Sequence, residues 1–341
     1  MEPSNLLTYV TIFDTIGLIL SLSANSILLI LIKYRSRASF GAYKYLMMSY
    51  AFVEVLYSLS AFSSKTSAHS TNTSYVLFRI YNGPNRTIGP AFQLQFCTMY
   101  TVLIVILVVH FIYRYIAICR TQSLKLFQGH KLYLWVAACF GVGLFVGVMK
   151  YFLLGESEEA TELLRPEFLK WYNLTMDQVC YNGPIYYVCD KNNENCYTPL
   201  KTAVAMSFIN SALVFFFIVM TYFGWKSYSQ LKVPDVTLSQ RTRQLQQQLL
   251  TALIIQSAIP SLFMYFPVGL LFMSPIFGVG FGAYANLSIL SLAIYPPLDQ
   301  IAIVYVIKDF RVAIKDFMSG KRSGRVAIYD TSRKSSTKIN S

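Results

Sequence analysis

Seven stretches of predominantly apolar residues, separated by polar segments, run along the chain at about Tyr9 to Ile32, Tyr43 to Ser63, Phe92 to Ile116, Leu132 to Leu153, Thr202 to Trp225, Leu249 to Phe272 and Ala283 to Ile307. A helix needs about 20 such residues to cross roughly 30 Å of hydrocarbon, and a water-soluble domain rarely strings together even two runs of this kind. The pattern predicts an all-α fold, a seven-transmembrane helix bundle spanning residues 9–307, with residues 1–8 ahead of it as a short extracellular segment. Nothing basic precedes the first run and no small-residue cleavage pattern follows it, so it reads as a retained span and not as a signal peptide. Beyond the seventh run, Ile307, Phe310, Ile314 and Phe317 recur at helical spacing opposite Lys308, Arg311 and Lys315. That predicts an amphipathic helix over 308–318 lying on the membrane surface. Residues 319–341, rich in Ser, Thr, Lys and Arg, are expected to form a disordered cytoplasmic tail.

Composition supports lipid contact: 55% of residues are hydrophobic and only 13% charged, too few polar side chains to cover a water-soluble surface of this size. The net charge of +13 raises the possibility of nucleic acid, but its distribution points elsewhere. Twenty-one lysines and arginines fall in the segments on one side of the predicted bundle and six on the other, with Lys150 and Lys201 at span ends. Basic residues are retained on the cytoplasmic side, so the amino terminus is expected outside and the tail inside a multi-pass membrane protein. Glycosylation sequons at Asn72, Asn85 and Asn173 all fall in loops that this orientation places outside. Cys180, Cys189 and Cys196 of the long loop after the fourth span, and Cys97 near the outer end of the third, are then disulfide candidates in an oxidising compartment. Three cysteines in one loop allow at most one internal bridge, leaving a thiol for Cys97 or free.

Candidate chemistry clusters at the cytoplasmic end. The third span closes on Tyr113-Arg114-Tyr115 and Arg120, where an arginine can snorkel to lipid phosphates or reach into the bundle toward a partner protein. Ahead of the sixth span, a possible capping box at Thr237 to Gln240 opens a polar helical extension carrying Arg241 and Arg243. Within that span Pro260 and Pro267 each remove a backbone hydrogen bond and favour a kink that suits a switch. The seventh span holds Asp299 beside Pro296 and Pro297, and Glu54 lies halfway along the second; an intramembrane acid needs a partner and is a functional candidate. Lys308 and Arg311 complete the basic rim. For an outer ligand pocket the polar candidates are Gln93, Gln95, Tyr100, Asn210, Gln256 and Tyr265, with helix-to-helix hydrogen bonding as the competing role. Eight of the sixteen acidic residues lie in the loop from about Gly155 to Pro199, a solvated surface or a cap over a ligand cavity. No His-Glu-x-x-His motif, phosphate-binding glycine loop or serine elbow occurs, so no enzyme, metal or cofactor is expected. The last span contains no lysine for a retinal Schiff base.

The segments Gly41-Ala-Tyr43-Lys44-Tyr-Leu-Met47, Tyr113-Arg114-Tyr115, Arg241 through Pro260, and Tyr295-Pro-Pro-Leu-Asp299 through Asp309-Phe310-Arg311 resemble the nematode serpentine chemoreceptors of the Str family, in the same order and over nearly the whole chain. The resemblance implies a G-protein-coupled olfactory-type receptor in the ciliated ending of a sensory neuron, with a small, often volatile odorant as ligand and a heterotrimeric G protein as partner. It also implies that Arg114 is the cytoplasmic arginine of the third helix, with Tyr113 where rhodopsin-type receptors carry an acid. Gln300 stands where the family's Pro-Leu-Asp-Pro motif has its second proline. A multi-span ligand-gated channel or transporter is the competing class; the odd span count, the lack of internal repeats and the few ionisable residues in the spans weigh against it.

Overall fold

The computed structural model describes residues 3–35, 40–81, 85–189, 196–233 and 240–319. Among them, seven helices are long and apolar enough to cross a membrane. They are α1 (Pro3–Arg35), α2 (Tyr43–Ser64), α3 (Gly89–Cys119), α4 (Lys131–Leu153), α6 (Leu200–Lys232), the composite of α7 (Gln240–Pro260) with α8 (Phe266–Met273), and α9 (Asn286–Val306). Helices are the natural answer to apolar surroundings, because each satisfies its own backbone hydrogen bonds. Outward-facing Leu144, Phe145, Phe215, Phe217 and Ile218 are all more than half exposed, a surface suited to lipid. α3 is buried along most of its length and packs against α2, α4 and α6.

α3 and α4 approach closely because glycine lines the seam. A Cβ on Gly143 would meet the carbonyl oxygen of Thr98 at 2.8 Å, and one on Gly147 would meet Thr98 Oγ1 at 2.4 Å. The buried positions of α4 are Leu132, Cys139, Gly143, Gly147 and Lys150, a single helical stripe that faces the bundle. Lys150, in the last turn of α4 at the span end where it was expected, therefore faces the bundle.

One end of the bundle is roofed. Strands β1 (Ser67–Ser70) and β2 (Tyr75–Ile80) form a hairpin after α2, and β3 (Val179–Asn182) adds to β2 antiparallel, with Leu77 opposite Asn182. The acidic loop is not merely a solvated surface: it contains α5 (Glu158–Tyr172), capped by Ser157, whose hydroxyl accepts from Ala160 N at 3.2 Å. Leu164 and Phe168 of α5 pack on Val76 and Phe78 of the hairpin to form a separate small core. Short strands β4 (Val188–Cys189) and β5 (Cys196–Tyr197) are joined by a Cys189–Cys196 disulfide. Cys97 and Cys180 remain separate buried thiols. Cys97 lies against Lys150 on α4 and Cys180 against Gln93 on α3, so each meets a polar side chain and not the other sulfur.

The opposite end is basic and closes with α10 (Lys308–Met318). Ile307, Phe310 and Ala313 are buried there, and Phe310 stacks on Phe40 with centroids 6.2 Å apart. Phe317, expected on the apolar, membrane-facing side of this helix, is 88% exposed and is not covered by the bundle. The possible capping box at 237–240 and the tail after Ser319 lie outside the described residues, apart from Gln240, where α7 begins.

Candidate functional site

Beneath the roof, α3, α4, α6, α8 and the turn before it enclose a mainly apolar cavity of about 150 Å³. Phe96, Ile104, Ile209, Phe216, Phe272 and Leu292 supply apolar wall, and Tyr75 from β2 closes the top by packing edge-on against Phe272, centroids 5.0 Å apart. Besides Tyr75, the lining residues that carry a polar group are Tyr100, Asn210, Tyr265, Cys97, Thr101 and Lys150. An apolar cavity of roughly this volume accepts a molecule about the size of benzene. A more open apolar depression bounded by Phe217, Ser261, Phe266 and Leu270 shares Tyr265, Gly269 and Met273 with the cavity and continues it toward the outer surface of the bundle.

Three expected pocket residues have other work. Gln93 Nε2 donates to the carbonyl oxygens of Leu77 and Cys180 at 3.3 Å each, and its Oε1 accepts from Asn182 Nδ2 at 3.0 Å. This single buried side chain pins the roof sheet to α3. Gln95 Nε2 donates to Ser60 Oγ of α2 at 3.0 Å. Gln256 Nε2 lies 3.5 Å from Asp299 Oδ2. Each glutamine answers a neighbouring polar group first, whereas Tyr100, Asn210 and Tyr265 do reach the cavity.

Below the cavity lies a buried polar cluster. Asp299 Oδ2 accepts from Tyr50 Oη at 3.0 Å, while Glu54 accepts from Tyr295 Oη at 3.1 Å and from Gln300 Nε2. Both acids are fully buried, and their hydrogen bonds tie α2, α7 and α9 together. The backbone is irregular just above: Pro260 has no N–H to give, and the helix continues through a π-helical turn, Ser261–Tyr265, before α8 resumes at Phe266 with Pro267 in its first turn. Tyr265 is thus both the last residue of that turn and part of the cavity wall.

At the basic end Arg114 does not snorkel; it is 1% exposed. Its guanidinium lies 3.4 Å from the ring centroid of Tyr43, and Nη1 donates to Gln246 Oε1 of α7 at 2.9 Å. Arg243 caps α6 by donating Nε to the Leu231 carbonyl at 2.8 Å, as Nη2 also does. Tyr115 packs against Phe223 of α6 with centroids 4.9 Å apart and the rings tilted by 45°. Arg120 and Lys308 are exposed, and Arg311 Nη1 donates to the Tyr305 carbonyl at 3.3 Å. The side chain of Arg241 lies outside the described residues.

At the roofed end, Asn72 is exposed in the hairpin turn, and Asn173 is exposed at the carboxy-terminal cap of α5 with a left-handed φ of 54°. The Asn85 side chain lies outside the described residues. His69 is buried under α5, its Nδ1 3.2 Å from Tyr172 Oη, and burial lowers its pKa to about 4. Burial also pushes the Cys180 thiol up to about 12. Sequence reading missed Lys150 and Gln246 as site residues. Lys150 stands at the 143, 147, 150 spacing of the glycine stripe, which was the available signal; Gln246 is one of three consecutive glutamines, and nothing local singles it out.

The fold and sequence have known counterparts. A family profile described as serpentine type 7TM GPCR chemoreceptor Str matches residues 10–315. Serpentine receptor class r-10 of Caenorhabditis elegans is 32% identical over 323 residues, covering 93% of each chain. The class r-10 receptor of Caenorhabditis briggsae is 30% identical, with 98% of this chain and 96% of that one covered. The G-protein coupled receptor str-217 of C. elegans is 29% identical over 306 residues, covering 88% of this chain and 87% of the relative. Squid rhodopsin superposes with a TM-score of 0.62 at 11% identity, over 94% of this chain and 87% of its own, which establishes a shared seven-helix architecture. The chain therefore belongs to the Str family of serpentine seven-transmembrane chemoreceptors, multi-pass membrane proteins of the G-protein-coupled receptor class.

Proposed function

We propose that this receptor takes a small, volatile organic molecule into the cavity beneath the roof and activates a heterotrimeric G protein from the basic end, with the roof outside the cell and the basic end in the cytoplasm. One observation carries the reading. The same bent helix serves both ends: Tyr265 and Gly269 line the cavity beyond the turn at Pro260, and Gln246 holds Arg114 on the other side of it. An occupant pressing on Tyr265 acts on the π-helical turn, whose re-registration displaces α7 and frees Arg114 for a partner. The basic rim formed by Arg120, Lys308 and Arg311 suits a cytoplasmic partner, and the exposed Asn72 and Asn173 at the roofed end suit an external face. The setting we propose is the ciliary membrane of a chemosensory neuron.

The test is a cellular response to a panel of volatile compounds. Responses abolished by G-protein blockade and by a cavity-filling Gly269→Phe substitution support the reading. A ligand-gated current that survives complete G-protein blockade would establish a channel instead. Epitope tags settle orientation: the amino-terminal tag should be reached by antibody on intact cells and the carboxy-terminal tag only after permeabilisation.

A further inference from the structure

The cavity contains a cation whose surroundings offer it little. Lys150 is 8% exposed, and among the described residues its Nζ has a single hydrogen-bond partner, Cys97 Sγ at 3.3 Å, a weak acceptor. Among the described residues no carboxylate lies within 4.0 Å of it. The rest of the cavity wall is largely apolar, with Phe96, Ile104, Ile209 and Phe216 among its residues. Tyr265 also lines this space, and its buried hydroxyl finds no hydrogen-bond partner among the described residues. A buried ammonium without a counter-charge is costly, and an interaction that supplies one in a low-dielectric site is correspondingly strong.

Resting on the reading of the cavity as the ligand site, we propose that the preferred ligand is a small monocarboxylate, its carboxylate placed on Lys150 Nζ and its short hydrocarbon tail among the apolar residues. One negative charge neutralises the single lysine, whereas a dianion such as phosphate would leave an unpaired charge in its place. The apolar wall excludes inorganic anions, which have nothing to set against it. The volume of about 150 Å³ accommodates a tail of a few carbons. Tyr265 lines the same cavity from the helix that carries the Pro260 turn, so an acid held on Lys150 brings its tail against that turn.

The experiment uses the full chain purified into lipid nanodiscs, with binding read from melting-temperature shifts as a function of probe concentration. The probes are sodium pentanoate, 1-hexanol and pentylamine, similar in size and different in charge. Pentanoate is expected to bind roughly tenfold or more tightly than the alcohol, and the amine more weakly still. Lys150→Gln and Lys150→Met should each remove the preference for the acid, Lys150→Arg should keep it, and Gly269→Phe should block all binding. Equal or tighter binding of hexanol or pentylamine to the unaltered chain overturns the proposal, as does an acid preference that survives in both Lys150→Gln and Lys150→Met. Hexanol binding blocked by Gly269→Phe would retain the cavity as the ligand site while removing the carboxylate assignment. If no probe binds in a way that Gly269→Phe blocks, both are overturned.

Discussion

Arg114 of α3 stacks its guanidinium on the ring of Tyr43 from α2 while donating to Gln246 of α7, so one side chain holds three helices at the basic end. A desolvated cation–π contact is worth about 2 kcal/mol, and Arg keeps its planar fork where Lys would present a point charge. Arg114→Ala and Arg114→Lys are both expected to lower stability by about 1–2 kcal/mol, read as melting temperature in nanodiscs. An unchanged melting temperature in both variants would show that the stack contributes nothing.

The α3–α4 seam has no room for side chains at two positions. Gly143→Leu is expected to destabilise by about 1–3 kcal/mol, since the obstacle is the Thr98 carbonyl, which cannot move aside without the helix. Gly141, whose added Cβ would meet nothing within 4 Å, is the control: Gly141→Leu should melt within a degree or so of the unaltered protein. Equal melting of the two variants would contradict the packing described.

The Asp299 cluster makes a graded prediction. Asp299→Ala strands the Tyr50 hydroxyl in the bundle and should cost about 1–3 kcal/mol, while Asp299→Asn keeps an oxygen for it and should cost less. Thermal melts of the two proteins in parallel decide this, and a larger loss for the asparagine variant would rule out the assigned hydrogen bond.

His69 gives the roof a pH dependence. Its folded value near 4 lies below the ordinary 6.5, because burial disfavours the imidazolium; the Glu167 carboxylate 3.6 Å from Nε2 is a third exposed and does not offset this. The unfolded roof therefore takes up a proton first as pH falls. Stability is fully present above pH 6.5, declines by up to about 3 kcal/mol toward pH 4, and is flat below that. Hydrogen exchange of β1 and α5 amides should accelerate over that window in the native chain and lose this dependence in His69→Phe. Acceleration on raising the pH above 6.5, after correction for intrinsic exchange, would give the opposite sign.

The bundle was legible in the sequence because each crossing must satisfy its requirement for apolar length locally. The helices overrun the apolar runs, as α6 does by continuing to Lys232 after the apolar pattern fades near Trp225, because polar ends can project into water without breaking the helix. The roof was not legible. Its central pairing sets Leu77 against Asn182, and no local pattern joins strands so far apart in the chain. At the site, Tyr100, Asn210 and Tyr265 were identifiable as polar interruptions of apolar helices, yet Gln93, Gln95 and Gln256 interrupt them equally and serve neighbouring helices or the roof. Lys150 was legible only through the face it shares with Gly143 and Gly147, and the charge itself drew attention to the membrane boundary.

The central claim is that one bent helix couples the cavity to the Arg114 contact, and nucleotide exchange on a heterotrimeric G protein by the reconstituted chain tests it most directly. Releasing Arg114 with Gln246→Leu should raise basal exchange by about fivefold, the effect of roughly 1 kcal/mol on a two-state equilibrium, and Arg114→Ala should abolish exchange in either background. Exchange that is the same in the unaltered chain, Gln246→Leu and Arg114→Ala would contradict the account.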